Sequence, residues 1–402
     1  MAPFILINLL KMLRNKQIKK IPKKTLFDLA TIFKYEKFIK FENKILISIH
    51  APPYPSKAFD RFLEAGIKAK EGINIPVIVN FAVTHQCRYH CWHCSASPKK
   101  GKDLPLKTIV DTIQKFQEIG TCTFSITGGE PLLREDLVEI IASIDDRSSV
   151  FMFTSGDGLT EEKAKELKDA GLLGVMISLD HYKPEIHDNL RGYDGAYDIL
   201  IKGLKNAQKA NLYVGLSCVI TKDILKNNEV LKLLEIAKNL SVQEIMMFEP
   251  TPVGELFNTD NCVLSIDERK QLIEFHKQIN KNRKYKNYPK VSVFPYFESK
   301  EVLGCNAGYN LAYIDADGNI RPCDFTPLIF GNIQEEPIEN LWQKMNCMFN
   351  KPRDFCFMLE NHKLVRQIGN GEYPLSYKKS LEVCKKCPSS KIPMFYKKLG
   401  IK

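Results

Sequence analysis

No apolar stretch of the chain is long enough to cross a bilayer: the run from Phe4 to Leu13 is broken by Asn8 and Lys11 and falls short of the roughly 20 residues that a spanning helix needs. Internal repeats and low-complexity tracts are absent too, which excludes solenoids and disordered scaffolds. Positive charge is scarce where an extended nucleic-acid face would need it. The formal charge is +11, but residues 1–44 hold eleven Lys/Arg against Asp28, Glu36 and Glu42, a local +8 that leaves +3 for the other 358 residues. Binding of nucleic acid along the chain is therefore not expected. No cleavable signal pattern precedes the twelve cysteines, and they are too unevenly placed for a small disulfide scaffold. They are expected to be reduced thiols in a cytoplasmic protein.

What is present is an ordinary globular composition, 44% hydrophobic and 26% charged, with a regular alternation beginning at Ile75. The runs IPVIVNFAV, CTFSIT, SVFMFT, LGVMISL, LYVGLSCVI and EIMMFE predict strands. Amphipathic stretches at 107–119, 135–144, 161–170, 194–209 and 227–239 predict the helices between them, with Thr160 and Asp194 as polar caps. Each parallel strand pair needs a crossover, so residues 75–255 are expected to form an α/β unit around a parallel sheet. Residues 256–300 read as a connecting segment, and 301–402 as an irregular, cysteine-bearing module opened by a hairpin, NLAYIDADGNIRPC. Residues 1–74 form a basic N-terminal arm with a second hairpin, FIKFENKILISI, turning at Glu42-Asn43.

Cys87, Cys91 and Cys94 follow directly on the first strand of the α/β unit. A closed cubane or zinc site takes four ligands, so three thiols leave a coordination position open for a substrate or cofactor. A zinc site completed by His85, His90 or His93 is the alternative. One strand later stands TGGEP, where paired glycines allow close backbone approach to a ligand and Glu130 can meet an ammonium.

The C-x3-C-x2-C spacing, with Trp92 and His93 before the last cysteine, resembles the signature of the radical S-adenosylmethionine superfamily. TGGEP resembles that family's segment for the methionine end of S-adenosylmethionine, which implies Thr127, Gly128, Gly129 and Glu130 as cofactor contacts. TSG, with Ser155 where relatives often carry Asn, ends the third strand. ISLD ends the fourth and implies Ser178 and Asp180 as contacts. HDNLRGYDGAYD is similar to a common stretch of the family and implies Arg191 as a carboxylate or substrate clamp. The resemblance implies a partial (β/α)6 TIM-like barrel and a [4Fe–4S] cluster on the triad, whose open iron chelates S-adenosylmethionine. It also implies reductive cleavage to a 5′-deoxyadenosyl radical that abstracts a substrate hydrogen, with electrons from a donor such as ferredoxin or flavodoxin.

A second set, Cys305 and Cys323 with Cys384 and Cys387, numbers four, which suits a closed site with no vacancy. Its pattern, C-x12-G-x4-C and then C-x2-C-P, resembles the C-terminal SPASM/twitch extension of the same superfamily and implies an auxiliary [4Fe–4S] cluster of the shorter, twitch-like kind. A zinc ribbon is the alternative, and Cys347 or Cys356 could replace one of the four. Cys122, Cys218, Met246 and Met247 read as core, and Cys262 has no partner.

The expected function is therefore a radical S-adenosylmethionine enzyme that modifies or oxidises a peptide, protein or small molecule. The contrasting class is a non-catalytic iron–sulfur or zinc protein, against which the open triad beside TGGEP argues. A lipid substrate is the second reading. It rests on the arm: Asn8, Lys11 and Asn15 share one side of a helix whose remainder is apolar, and Arg14, Lys16, Lys19 and Lys20 follow, a pattern suited to peripheral docking at the inner membrane face or, equally, to packing on the barrel.

Overall fold

The predicted apolar runs become strands at Ile78–Ala82 (β3), Thr123–Thr127 (β4), Ser149–Thr154 (β5), Gly174–Ser178 (β6), Tyr213–Val219 (β7) and Glu244–Phe248 (β8), after an N-terminal hairpin of Ile39–Phe41 (β1) and Lys44–Leu46 (β2). These assignments come from a computed structural model that describes residues 12, 15–98 and 100–401. The expected membrane-docking helix from Phe4 to Leu13 lies outside the described residues except for Met12. No helix among the described residues is long and apolar enough to cross a membrane.

Neighbouring strands from β3 to β8 pair in parallel in chain order. The sheet then grows at both edges. Lys290–Val293 (β9), from the segment expected to be a connector, joins β8 in parallel. Leu311–Ile314 (β10), from the cysteine-bearing module, joins β3 in parallel and forms the predicted hairpin with Ile320–Arg321 (β11). The result is an open nine-stranded sheet ordered β11-β10-β3-β4-β5-β6-β7-β8-β9.

Successive side chains point to opposite faces of the sheet, and both faces are buried. Val79, Phe81, Phe124, Ile126, Val175 and Ile177 pack with the crossover helices, through Ile109, Ile113 and Phe116 of the helix Leu106–Ile119 and Leu200 and Leu204 of the helix Ala196–Lys209. Each such side chain contributes about 1.5–3 kcal/mol on burial. On the other face Phe151, Met176, Tyr213 and Met246 meet Leu46 and Ile49, so the N-terminal segment closes the end where the strands begin. Cys122, Cys218, Met246 and Met247 are buried, as expected.

Capping explains where the helices start. Thr160 accepts from Lys163 N and Thr221 from Ile224 N, while Ser265 and Glu268 form a reciprocal capping box. The expected cap Asp194 is not used. Gly195 occupies the cap with φ 81°, and Asp188, seven residues earlier, accepts from the backbone N–H of Gly195 and Tyr197 at 2.8 Å each.

Candidate functional site

The motifs converge where the parallel strands end, the end at which α/β sheets place their chemistry. Cys87, Cys91 and Cys94 lie on the loop after β3 and line a cavity of about 720 Å³ together with His85, His90, Trp92 and Glu255. Three neighbouring segments grip this loop through its backbone. After β4, Gly129 N donates to Thr84 O at 2.8 Å and Glu130 N to Gln86 O at 2.6 Å. At the end of the helix Pro184–Arg191, His90 N donates to Arg191 O at 3.0 Å. After β8, Glu255 N donates to Cys94 O at 3.0 Å.

The paired glycines have a steric duty toward this loop. A Cβ on Gly129 would lie 2.2 Å from Gln86 O, and one on Gly128 would lie 2.6 Å from Thr84 O. Gly254, at φ +57°, would place a Cβ 1.9 Å from Cys94 O. Any side chain at these positions drives the triad loop outward. Gly128 and Gly129 also line a second cavity of about 210 Å³, which shares His85, Ser97, Pro98 and Lys100 with the first.

Glu130 is buried, with its carboxylate turned to the next strand. It accepts from Thr154 Oγ1 and Ser155 Oγ at 2.6 Å, from Ser155 N at 2.7 Å and from Leu132 N at 3.2 Å. Burial raises its pKa and these four donors oppose the rise. Thr127 ends β4 in register with Ala82, and Ser178 ends β6 opposite Ser217.

Asp180, two residues further, is only 1% exposed. Its Oδ2 lies 2.9 Å from Arg191 Nε and 3.0 Å from His93 Nε2. Burial works against its ionisation, but the charge of Arg191, aided by His93, holds the carboxyl well below the usual range. Arg191 Nη1 also donates to Cys91 Sγ at 3.3 Å. The sequence-predicted clamp therefore sits behind the triad, among its own ligands.

The donor set fits an iron–sulfur cluster. Three thiols share one loop, and a buried guanidinium donates to the sulfur of one of them, Cys91, so the loop offers sulfur donors with a cation beside them. Among the described residues no three Cys, His, Asp or Glu side chains gather as ligands of a single metal ion.

Of the second set, Cys305 and Cys323 flank the hairpin of β10 and β11, and Cys384 and Cys387 lie at the end of the helix Tyr377–Lys386. Cys305 and Cys323 are buried, and Cys305 exchanges backbone hydrogen bonds with Arg353, N to O at 2.7 Å and O from N at 3.0 Å. That pairing brings Cys356 to Cys305. A hydrogen bond from the Cys356 thiol pulls Cys305 below the ordinary thiol range. Cys384 and Cys387 are half-buried; burial raises both thiols, and the charge of Arg353 opposes the rise. Cys347 is exposed on the helix Ile338–Met348. Cys262 does have a partner, the carbonyl of Thr259 at 3.3 Å.

Sequence reasoning missed the roles of His93, Asp188 and Tyr373. Tyr373 accepts from Gly254 N at 2.6 Å and so joins the C-terminal module to the post-β8 segment that holds Cys94 O. Nothing in its sequence context marks it.

Comparison with known proteins agrees with this geometry. The model of the Radical SAM superfamily matches residues 81–235, and that of the SPASM iron–sulfur cluster-binding domain matches 305–388. An AdoMet-dependent heme synthase of Methanosarcina barkeri is 26% identical over 304 residues, covering 70% of this chain and 86% of the relative. A probable GTP 3′,8-cyclase of Saccharolobus islandicus is 30% identical over 285 residues, 65% of this chain and 90% of the relative. Among solved structures, Streptococcus suis SuiB bound to its precursor peptide SuiA superposes with a TM-score of 0.57 at 15% identity, covering 71% of this chain and 69% of that one. The structure of anSMEcpe with bound AdoMet gives 0.56 at 18% identity, covering 81% and 95%. The chain belongs to the radical SAM superfamily, is an enzyme, and carries a C-terminal SPASM domain for auxiliary iron–sulfur chemistry.

Proposed function

We propose that the chain holds a [4Fe–4S] cluster on Cys87, Cys91 and Cys94, binds S-adenosylmethionine beside Gly128 and Gly129, and oxidises a peptide side chain or small molecule lodged between this site and the auxiliary cysteines. Residues 75–255 act as the radical core in this reading, 301–402 as the auxiliary module, 256–300 as the link and 1–74 as an accessory arm. When bound, the cluster and S-adenosylmethionine supply the 5′-deoxyadenosyl radical that removes a substrate hydrogen atom.

One observation carries the reading. The 210 Å³ cavity has Thr84, Gly128 and Gly129 on one wall and Tyr313, Arg321 and Tyr373 on the other. A substrate at the Tyr313, Arg321 and Tyr373 wall would face S-adenosylmethionine held against Gly128 and Gly129, with Cys323 two residues beyond Arg321. The residues divide the work. Gly128 and Gly129 keep their backbone close to the loop, and Glu130 fixes the Thr154–Ser155 turn beside it. Arg321, buried against Tyr313 with its guanidinium 5.0 Å from that ring, holds the far wall. Buried Tyr313 and partly buried Tyr373 shield the cavity from water. An auxiliary cluster held by Cys305, Cys323 and Cys356 would accept the electron released on oxidation, and an external ferredoxin- or flavodoxin-type donor would supply the first electron.

The test uses anaerobically reconstituted protein with dithionite and S-adenosylmethionine, challenged with a peptide, GTP and an iron porphyrin. One of these is expected to raise 5′-deoxyadenosine formation about tenfold, on the order of 1.4 kcal/mol of barrier. Cys323→Ala is expected to keep forming the nucleoside while losing the oxidised product. Unchanged product from that variant would contradict a role for the auxiliary site in oxidation.

A further inference from the structure

Arg191 ends the helix Pro184–Arg191, is 8% exposed and lines neither cavity beside the triad. Both its backbone and its side chain are turned to the C-x3-C-x2-C loop. Its carbonyl accepts from His90 N at 3.0 Å, and the next residue, Gly192 at φ +60°, would place a Cβ 2.8 Å from His90 O. Its guanidinium spans two buried groups, Cys91 Sγ at 3.3 Å and Asp180 Oδ2 at 2.9 Å. Asp180 in turn meets His93 Nε2 at 3.0 Å and accepts from Val219 N at 3.4 Å. The path His93–Asp180–Arg191–Cys91 thus begins and ends on the triad loop.

A guanidinium is buried only when its charge is met, and Asp180 meets it. The hydrogen bond to sulfur is then free to act on whatever charge the sulfur carries. Hydrogen bonds to ligating sulfurs and nearby net charge are among the factors that set iron–sulfur potentials. Reduction adds one negative charge to the cluster and its thiolates. A cation that donates to Cys91 stabilises the reduced form, and a carboxylate behind the cation moderates that effect.

We propose that Arg191 is a positioning residue that sets the reduction potential of the triad's cluster through its hydrogen bond to Cys91 Sγ, with Asp180 as the opposing charge. This rests on the reading that the triad holds a cluster. The step is the entry of one electron from a low-potential one-electron donor; no bond breaks and no proton moves.

The experiment is a potentiometric titration of reconstituted full-length protein, without S-adenosylmethionine, followed by electron paramagnetic resonance. The signal to follow is the one that Cys91→Ala abolishes. In Arg191→Met the ratio of reduced to oxidised cluster at a fixed potential should fall about tenfold, a shift of about 59 mV to more negative values for a one-electron couple. Arg191→Lys, which keeps the charge, should recover part of the shift. Asp180→Asn should move the midpoint in the opposite direction, to more positive values. Equal midpoints in all four proteins overturn the proposal. So does a common shift in one direction with Arg191→Lys no better than Arg191→Met, because that is the mark of a structural role alone. Absence from the wild type of any signal that Cys91→Ala removes would overturn the cluster reading itself.

Discussion

The ammonium of Lys290, wholly buried at the start of β9, lies 2.8 Å from the Glu36 carboxylate, whose other oxygen is 3.1 Å from His276 Nε2. Lys290 also donates to Ile47 O and faces Glu244, which accepts from Tyr213 at 2.8 Å and from Ser292. This cluster fastens the N-terminal segment to the strand beginnings, opposite the catalytic end. Lys290→Met leaves Glu36 buried and uncompensated. The expected loss is about 3–5 kcal/mol. Glu36→Gln added to Lys290→Met should return part of it, and thermal unfolding of the wild type and the two variants measures both effects.

The same cluster predicts an acid-labile fold. Burial raises the pKa of Glu36, but the charge of Lys290 and the contacts with His276 outweigh it, leaving the carboxyl below its ordinary 4.5. Burial also pushes His276 below its ordinary 6.5, against the pull of Glu36. For both groups the unfolded chain takes up a proton first as the pH falls, so stability is lost on acidification: from His276 below 6.5, and from Glu36 below 4.5. The denaturation midpoint measured between pH 7 and pH 4 should decline, and His276→Gln should flatten the decline near pH 6. An unchanged slope in that variant removes His276 from the account.

Gly129→Ala should release iron without unfolding the sheet. The added Cβ would meet Gln86 O at 2.2 Å and His85 O at 2.8 Å, both backbone atoms of the segment leading to Cys87, so the loop must move. Iron should fall by about four per chain, the content of one cubane. Far-ultraviolet circular dichroism should stay that of the wild type. Full iron content in the variant would show that the loop tolerates the displacement.

The auxiliary site makes a separable prediction about iron. Cys356 lies against Cys305, whereas Cys347 is exposed on its helix. With both sites filled, about eight irons per chain are expected. Replacing Cys305, Cys323 and Cys356 together by Ala should leave about four, and Cys347→Ala should leave the full content. Loss of iron from Cys347→Ala would displace Cys356 from the ligand set.

Local pattern made much of this visible. Six strands, the hairpins at Glu42-Asn43 and around Gly318, and the core thiols Cys122 and Cys218 were legible because alternation and turn chemistry act over a few residues. The edge pairings were not. Lys290–Val293 is a four-residue edge strand that nothing local distinguishes from a loop, and Leu311–Ile314, legible as half of a hairpin, pairs with β3, which lies far away in the chain. Asp194 looked like the cap because it precedes the helix directly, yet Asp188 reaches the same N–H groups through the turn between the two helices. The triad was legible as a motif, but the partner of Arg191 was not, since one hundred residues separate it from Cys91. Cys356 was recognisable only as a substitute, because its place beside Cys305 depends on the backbone bridge to Arg353.

The central claim is that Cys87, Cys91 and Cys94 hold the cluster that cleaves S-adenosylmethionine, and the most direct measurement is 5′-deoxyadenosine formed by anaerobically reconstituted protein under dithionite. The wild type should produce it. The Cys87→Ala, Cys91→Ala, Cys94→Ala triple variant, still holding about four auxiliary irons, should produce none above background. Undiminished 5′-deoxyadenosine from the triple variant would contradict the account.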